Sequence, residues 1–556
     1  MDNLVFEESV NTEVEQSEFI EKKWVYVNDN NSQNYSSQIV LDSTPLANAG
    51  GYVNWSEGYI MMPLVAHLTG SSIATSVMTQ SNVKASWALK CGYWQMLNSM
   101  SIEFNNQTIV QQTPFLNVFR SFKAITSMSE DDLINHGDEI GFQPDSAVSW
   151  DYDDLEGVRN NAIYVPTAPT GATTTSDDHA INEGLLKRAK FLSTGVIGAG
   201  GSSRNKEEVV SNADRSALYQ SHLRDFTSTW TTGTDGVLNA RWDVYAKLRL
   251  KDLAEYFEKC PMLKGSTMRF LINTNQVSVG FSVAGGAGVP TYATPSVLGG
   301  NTCPLQLGFR PVETPTAVGG CVLNNGNYVF SLDIVKSRQD ASKQSALTSC
   351  RLYAPVYRFN PMAEQRYLSL SPTKKVEYND IFQYQFTSIG AGDTFNFLVS
   401  NGIANIQSVL VVPFISASAN GTGTKKGVLS PSSSAGATPD PIPLTNFNIL
   451  LSGVNLFLNN EDYDFEAFTH QLQSANQLNG NLTTGLTSGL IGRKEFQDLY
   501  RYYYGNCSRS LPSEEGISKS VQIVGKNSSA KIVDLMVFVE FKRSMTIDIS
   551  TGARIE

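Results

Sequence analysis

Met100-Ser-Ile-Glu-Phe-Asn-Asn-Gln-Thr-Ile-Val110 reads as a strand and leads into a helix-like run, Phe115-Leu-Asn-Val-Phe-Arg-Ser-Phe-Lys-Ala-Ile125. Far downstream the same order returns. Phe447-Asn-Ile-Leu-Leu-Ser-Gly-Val-Asn-Leu-Phe457 leads into Tyr463-Asp-Phe-Glu-Ala-Phe-Thr-His-Gln-Leu472. Each half then offers a short helix followed by apolar strands. In the first half these are Lys251-Asp-Leu-Ala-Glu-Tyr-Phe257 and Thr267-Met-Arg-Phe-Leu-Ile272. In the second they are Lys494-Glu-Phe-Gln-Asp-Leu-Tyr-Arg-Tyr-Tyr-Tyr504 and Ile532-Val-Asp-Leu-Met-Val-Phe-Val-Glu-Phe541. A doubled, strand-rich unit with a few short helices describes a building block before it describes a catalyst.

Composition agrees with a doubled unit. A chain of 556 residues is too long for one ordinary core and defaults to two or more domains. Charged residues make up 17%, below the usual quarter, and 43 glycines suit β-structure with long loops. The net charge of −11 argues against a general nucleic-acid binder, which needs a basic face to neutralise phosphates. Residues 1–23 carry Asp2, Glu7, Glu8, Glu13, Glu15, Glu18 and Glu21 against only Lys22 and Lys23, so a basic, genome-condensing arm is absent. No N-terminal apolar core of a signal peptide is read, and the longest apolar runs fall short of a membrane span. Cys91, Cys260, Cys303, Cys321, Cys350 and Cys507 are scattered, with no CxxC pair. They read as reduced thiols of a chain made in the cytosol and not secreted. The sequons at Asn34, Asn106 and Asn481 then read as chance matches in an Asn-rich chain.

Along the chain, residues 1–35 read as an acidic N-terminal arm anchored by Phe19-Ile20 and Trp24-Val25-Tyr26. Ser37–Ser43 alternates with period two, as a half-buried strand should. Patterning weakens over 127–236, an insertion expected to carry a surface role. The Gly/Pro-rich segment 284–300 is the candidate boundary, and Asn327–Val335 is read as closing the first domain. The second block starts near Cys350, is interrupted by a low-complexity loop at 416–443, and ends in the strand-like run 531–549. The expected fold is therefore mainly β. It comprises two tandem eight-stranded jelly-roll β-sandwiches with a few short helices, at 36–340 and 341–556.

Catalytic constellations are poorly represented. There is no HExxH, GxSxG or Walker-type loop. Of the five histidines, His67 falls in a strand and His470 on a helix, both read as structural. Gly195–Gly201 lacks the strand, helix and acidic residue of a dinucleotide fingerprint and reads as a loop. Asp151-Tyr-Asp-Asp-Leu-Glu-Gly157 fails the EF-hand register at Leu155 and Glu156 and reads as a solvated acidic loop. Tyr500 and Tyr502-Tyr503-Tyr504 could stack bases. Without a basic groove they read as core or interdomain packing on a helix-like segment. No catalytic, cofactor-binding or metal-binding residue is assigned, and the chain is read as a non-enzyme.

The doubled pattern resembles the double jelly-roll major capsid proteins of double-stranded DNA viruses, of the polinton-like virus and virophage type. The segments that carry it are Lys247-Leu-Arg-Leu-Lys-Asp-Leu253, Pro261-Met-Leu-Lys-Gly265, Met268-Arg-Phe-Leu-Ile-Asn-Thr-Asn275, Asn446–Phe457 and Met545-Thr-Ile-Asp-Ile-Ser-Thr-Gly552. The resemblance spans most of 37–549. It implies a homotrimer with six sandwiches in a pseudo-hexagon, which tiles an icosahedral virion shell beside neighbouring capsomers, penton and minor capsid proteins. Loops 127–236 and 416–443 would build its exposed tower, with the arm beneath or between capsomers. A β-sandwich glycan-binding or fibre/attachment protein is the alternative, by sandwich analogy alone. A sandwich hydrolase would need two carboxylates at a separation that sequence does not show.

Overall fold

A computed structural model of the chain describes residues 18–31, 35, 38–70, 85–145, 188, 190–191, 226–232, 238–283, 290–293, 296–298, 302–309, 326–334, 349–370, 372–416, 428–429, 441–478, 489–508 and 514–549. In chain order the first half opens with β1 (Phe19–Asn28), β2 (Gln38–Asp42), α1 (Thr44–Ala47), β3 (Tyr52–Val53), β4 (Tyr59–Gly70), β5 (Ala85–Leu89), β6 (Leu97–Phe104) and β7 (Gln107–Val110). There follow α2 (Leu116–Ser127), α3 (Glu130–Ile140), β8 (Lys190–Phe191), β9 (Phe226–Thr232), β10 (Leu238–Arg249), α4 (Leu250–Leu253), α5 (Tyr256–Lys259) and β11 (Met268–Thr274). The half continues through β12 (Val277–Val283), β13 (Pro290–Tyr292), β14 (Ser296–Val297), β15 (Leu305–Phe309) and β16 (Gly326–Ile334), and closes with β17 (Arg351–Phe359).

Helix α6 (Pro361–Leu370) links to the second half: β18 (Thr373–Ile389), β19 (Thr394–Ala404), β20 (Ile406–Ile415), β21 (Leu444–Leu451) and β22 (Val454–Asn455). Helices α7 (Phe465–Leu478) and α8 (Arg493–Asp498) come next, then β23 (Tyr503–Asn506), β24 (Ser518–Asn527) and β25 (Val533–Asp548).

Strand order makes the duplication concrete. In the second half the sheets run β18-β25-β20-β23 and β19-β24-β21-β22. Counted along that half, this is 1-8-3-6 facing 2-7-4-5, the order of an eight-stranded jelly roll. In the first half β1, β17, β4 and β10 are neighbours in one sheet, and β2-β11-β6-β7 form another. Counting β1, β2, β4, β6, β7, β10, β11 and β17 as its eight strands gives the same two orders. The extra strands are insertions. β12, β13, β14 and β16 lie between the seventh and eighth strands, and together with β3 and β9 they widen the first sheet to ten strands. A small sheet, β15-β5-β8, gathers pieces of three separate connections. The chain is thus mainly β, with two tandem jelly-roll sandwiches.

Local sequence explains which strands face what. β11 and β24 alternate buried with more exposed positions, as strands covered on one face should. β20 (Ile-Gln-Ser-Val-Leu-Val-Val-Pro-Phe-Ile) is buried at nearly every position, so both of its faces are covered. One continuous apolar core runs through both halves, from Ile39 and Phe104 to Phe538 and Ile547.

Several expectations shift. Residues 19–28, read as part of an arm, form β1, which pairs along its length with β17, from Phe19↔Phe359 to Asn28↔Arg351. The stretch from Cys350, read as opening the second block, therefore carries the eighth strand of the first sandwich. Pairing puts the break at 360–372 and not at 340. Asn327–Val335 widens that sheet instead of closing it, because β16 pairs with β4 at Leu64–Gly70 while β17 pairs with β4 at Tyr59–Met61. Tyr503 and Tyr504 stand in β23, not on a helix, since α8 stops at Asp498. The second part of the repeat was matched out of register: Thr267–Ile272 belongs to a seventh strand and Ile532–Phe541 to an eighth. Residues 1–17, most of 127–236 and most of 416–443 lie outside the described residues, as do Asp151–Gly157 and Gly195–Gly201.

Candidate functional site

The two sandwiches meet along a seam built around α2, and this seam turns two folds into one block. The helix sequence Leu-Asn-Val-Phe-Arg-Ser-Phe-Lys-Ala-Ile-Thr-Ser has a small polar pair, Asn117 and Ser121, one turn apart on one side. Ser121 Oγ accepts from Trp94 Nε1 at 3.0 Å and from Gln95 Nε2 at 2.9 Å. Asn117 donates to Gln95 Oε1 at 2.9 Å. These bonds hold α2 to its own sandwich. Phe119, Phe122 and Lys123 project from another side onto the outer face of the second sandwich. Phe119 lies 5.5 Å from Phe538, and Phe122 lies 4.9 Å from Tyr502 and 5.7 Å from Tyr504, ring to ring. All five rings are under a tenth exposed, so the contact is packed like a core.

Polar groups fix the register of this contact. Lys123 Nζ donates to both oxygens of Glu540, at 2.9 and 3.1 Å, and Ser408 Oγ donates to the same carboxylate at 2.8 Å. Burial on its own would raise the Glu540 carboxyl. The Lys123 charge and these hydrogen bonds outweigh it and hold the carboxyl below its ordinary value. Arg543 reaches across to the Ile109 carbonyl at 3.0 Å and pairs with Asp380 at 2.9 Å. Asp380 also accepts from the backbone N–H of Gln111 at 3.1 Å. Burial still pushes the Asp380 carboxyl up. Tyr378 Oη donates to the Ile109 carbonyl at 2.7 Å, and Thr113 Oγ1 to the Ile381 carbonyl at 2.8 Å. The segment between β7 and α2 is thereby stitched to β18 and β25. At the far end of α2, Leu490 N–H donates to the Ile125 carbonyl at 2.8 Å.

A cavity of about 340 Å³ opens along the seam, lined by Arg120, Lys251, Asp252, Glu255 and Glu258 among others. Arg120 Nε has no hydrogen-bond partner among the described residues. Among the described residues no group of three His, Cys, Asp or Glu side chains could hold a metal.

The sequence candidates fall into place around this seam. Tyr502 and Tyr504 are part of it. Tyr500 Oη donates to the Asp145 carbonyl of the first half at 3.0 Å. These rings are interdomain packing, as expected, although the element that carries Tyr503 and Tyr504 is a strand. His67 stands in β4 and His470 on α7, far apart in the fold's order. Cys91, Cys260, Cys303, Cys350 and Cys507 are buried free thiols, and burial pushes those of Cys260 and Cys507 up to about 12. The ionic members of the seam, Lys123, Asp380, Glu540 and Arg543, were not singled out from the sequence. The available signal was a carboxylate inside an otherwise apolar strand, Val537-Phe-Val-Glu-Phe541.

The outer face of the first sandwich carries a second ordered surface. Trp24, Tyr59, Tyr353 and Tyr26 form a ladder of rings with centroids 5.6, 4.9 and 5.6 Å apart. Lys247 sits over Tyr59 at 4.6 Å and Arg351 over Tyr26 at 4.7 Å.

Comparison with known proteins bears on the fold. No family model and no curated protein sequence matches the chain. Among solved structures, a chain of the Sputnik virophage matches with a TM-score of 0.51 at 10% identity, covering 98% of this chain and 90% of that one. The Faustovirus major capsid protein (TM-score 0.40, 11% identity, 98% and 93% covered) and the mavirus major capsid protein (0.40, 7%, 96% and 89%) align less closely. The fold is the double jelly roll of viral major capsid proteins.

Proposed function

We propose that the chain is a major capsid protein, a structural subunit whose copies assemble into the shell of a virion. One observation carries the reading. The same 1-8-3-6 and 2-7-4-5 strand order occurs twice in one chain, and the two copies are fused through a buried seam. A solved structure that the chain matches over 98% of its length comes from the Sputnik virophage. A three-copy capsomer then presents six sandwiches as a pseudo-hexagon, the shape that tiles an icosahedral surface. Neighbouring capsomers, penton and minor capsid proteins are its partners. Synthesis in the host cytosol and residence in the virion shell follow. An acidic chain suits a shell that is not condensed around its genome by basic arms. The long connections at 127–236 and 416–443 form the outer tower on this reading.

The test is to express the full chain, measure its mass and image it by negative stain. Particles of three times the 60.8 kDa chain mass with hexagonal outlines, or closed shells, support the reading. A persistent monomer that is retained on a sugar column favours the attachment-protein alternative and defeats it.

A further inference from the structure

We propose that the cavity along the seam is a binding site for a small aliphatic carboxylate, which is anchored by Arg120 and lays its apolar stem along α2. The proposal stands on the geometry of the seam and holds or fails independently of the capsid reading.

Both halves build the cavity. Arg120, Lys123, Ala124 and Ser127 fall at helical spacing on one face of α2 and form one side of it. Lys251, Asp252, Glu255 and Glu258 line it from the α4–α5 segment. Asn379 and Ile381 of β18, with Glu540 of β25, line it from the second sandwich. Two contacts tie these parts together. Lys123 Nζ donates to Glu540 at 2.9 Å, and the Asn379 backbone N–H donates to Glu255 at 3.3 Å. At about 340 Å³ the space lies at the small end of the range for ligand sites.

Arg120 is the residue that points to a ligand. Its Nε is shielded from solvent and has no hydrogen-bond partner among the described residues. Among those residues the guanidinium makes no ion pair either. The contact it does make is with the ring of Phe119, 5.5 Å from Cζ. A shielded donor with an unmade hydrogen bond is costly, and a charged one more so. Such a group calls for a partner, and the cavity beside it has room for one.

Charge identifies the class of partner. Burial lowers the pKa of Arg120, and the four carboxylates that act most strongly against this are Glu540, Asp380, Glu255 and Asp252. Each of the four already has a cation of its own. Lys123 pairs with Glu540, Arg543 with Asp380, Lys259 with Glu255 and Arg249 with Asp252. Arg120 is therefore a fifth cation among four carboxylates. Lys251 and Glu258, both exposed, are of opposite sign and leave that balance unchanged. One monoanion beside Arg120 completes it.

Shape narrows the class further. A carboxylate presents two coplanar oxygens that match the fork of a guanidinium. Phe119, Ala124, Met128 and Ile381 give an apolar stem something to pack on. A phosphate monoester carries nearly two charges at neutral pH and exceeds the one that is needed. The bound molecule would touch both sandwiches beside the Lys123–Glu540 pair, so its binding would strengthen their joint.

The test adds sodium hexanoate to the full chain and follows binding by saturation-transfer NMR and by the melting temperature. A ligand of about eight non-hydrogen atoms should bind in roughly the millimolar range or tighter, and should raise the melting temperature. Hexan-1-ol and inorganic phosphate each carry half of the chemistry and should bind at least about tenfold more weakly. Arg120→Met should weaken hexanoate binding about tenfold or more. The same variant without ligand should melt no lower than the parent, because the charge removed leaves no partner behind. Ala124→Leu narrows the cavity, keeps Arg120, and should weaken binding as well. No hexanoate binding at about 10 mM overturns the proposal. Binding that Arg120→Met leaves unchanged, or equal binding of hexan-1-ol, overturns it too. So does an Arg120→Met chain that melts lower without ligand, since Arg120 would then have its partner within the protein. A chain that binds hexanoate through Arg120 but never assembles keeps this proposal and defeats the capsid reading alone.

Discussion

Helices α2 and α7 occupy the same topological place in the two sandwiches, yet their surroundings differ. In α2, Leu116, Asn117, Val118, Phe119, Ser121, Phe122 and Ile125 are all buried, so the helix is covered around most of its circumference. Among the described side chains of α7 only Phe468 is fully buried, against Phe496 at 5.0 Å, while Glu466 and His470 are exposed. The same fold position is therefore core in one half and surface in the other. The difference teaches that coverage, and not local structure, separates the halves. Among the described residues α2 is covered by both sandwiches, whereas α7 rests on its own half, with Phe468 against Phe496.

The comparison breaks most severely at Phe122. Phe122→Ala empties a site between two sandwiches and should cost about 3–5 kcal/mol, read as a lowered urea midpoint. A value near zero would mean that the seam is not packed as described.

Glu540→Gln is expected to cost about 2 kcal/mol at neutral pH, since it leaves Lys123 without its charged partner. The pH dependence has a definite sign. The folded Glu540 carboxyl lies below its ordinary value, so its contribution is complete above the unfolded value near 4.3 and is lost as pH falls through the lower folded value. Asp380, raised by burial, works in the opposite sense and becomes less unfavourable as it protonates. The gap between parent and Glu540→Gln should therefore be flat from pH 5 to 7 and close below about 4. A gap that widens in acid would contradict the assignment.

Gly489→Ala tests the far end of the seam. Gly489 has φ +63°, and a Cβ there would stand 2.2 Å from the Ile125 carbonyl oxygen and 2.7 Å from Thr126 Cα. Backbone strain and overlap together should cost about 1–3 kcal/mol in the same urea assay. The smallest effect belongs to the hairpin before α7, where Leu458 is 92% exposed. Leu458→Ala should change folding stability by less than about 0.5 kcal/mol, because the side chain touches little within its own chain.

Much of the fold was legible in the sequence. The strand–helix pairs 100–125 and 447–472 are the fourth and fifth strands and the following helix of each sandwich, and they revealed the duplication. Alternation placed β2, and continuous apolar runs placed β20 and β25. The first sandwich's limits were not legible, because its eighth strand is separated from its seventh by an insertion with strands of its own. A Gly/Pro-rich stretch inside one sandwich then looks like a boundary between two. Helix α3 was also missed. Ser129 caps it through a reciprocal bond with Asp132, and Gly141 ends it at φ +65°, so Ser129-Glu-Asp-Asp132 was a start signal inside the stretch 127–236 read as a weakly patterned insertion. The seam's ion pairs were hidden for a different reason. Lys123 and Glu540 are 417 residues apart, and their meeting depends on how two finished sandwiches face each other.

The most direct measurement is an electron cryomicroscopy map of the assembled full-length chain at a resolution that shows helices. The account expects each copy to hold two sandwiches joined through α2 against Phe538 and Tyr504, with three copies and six sandwiches to a capsomer. A map in which the two sandwiches of one chain meet through other surfaces, with α2 away from Phe538 and Tyr504, would contradict it.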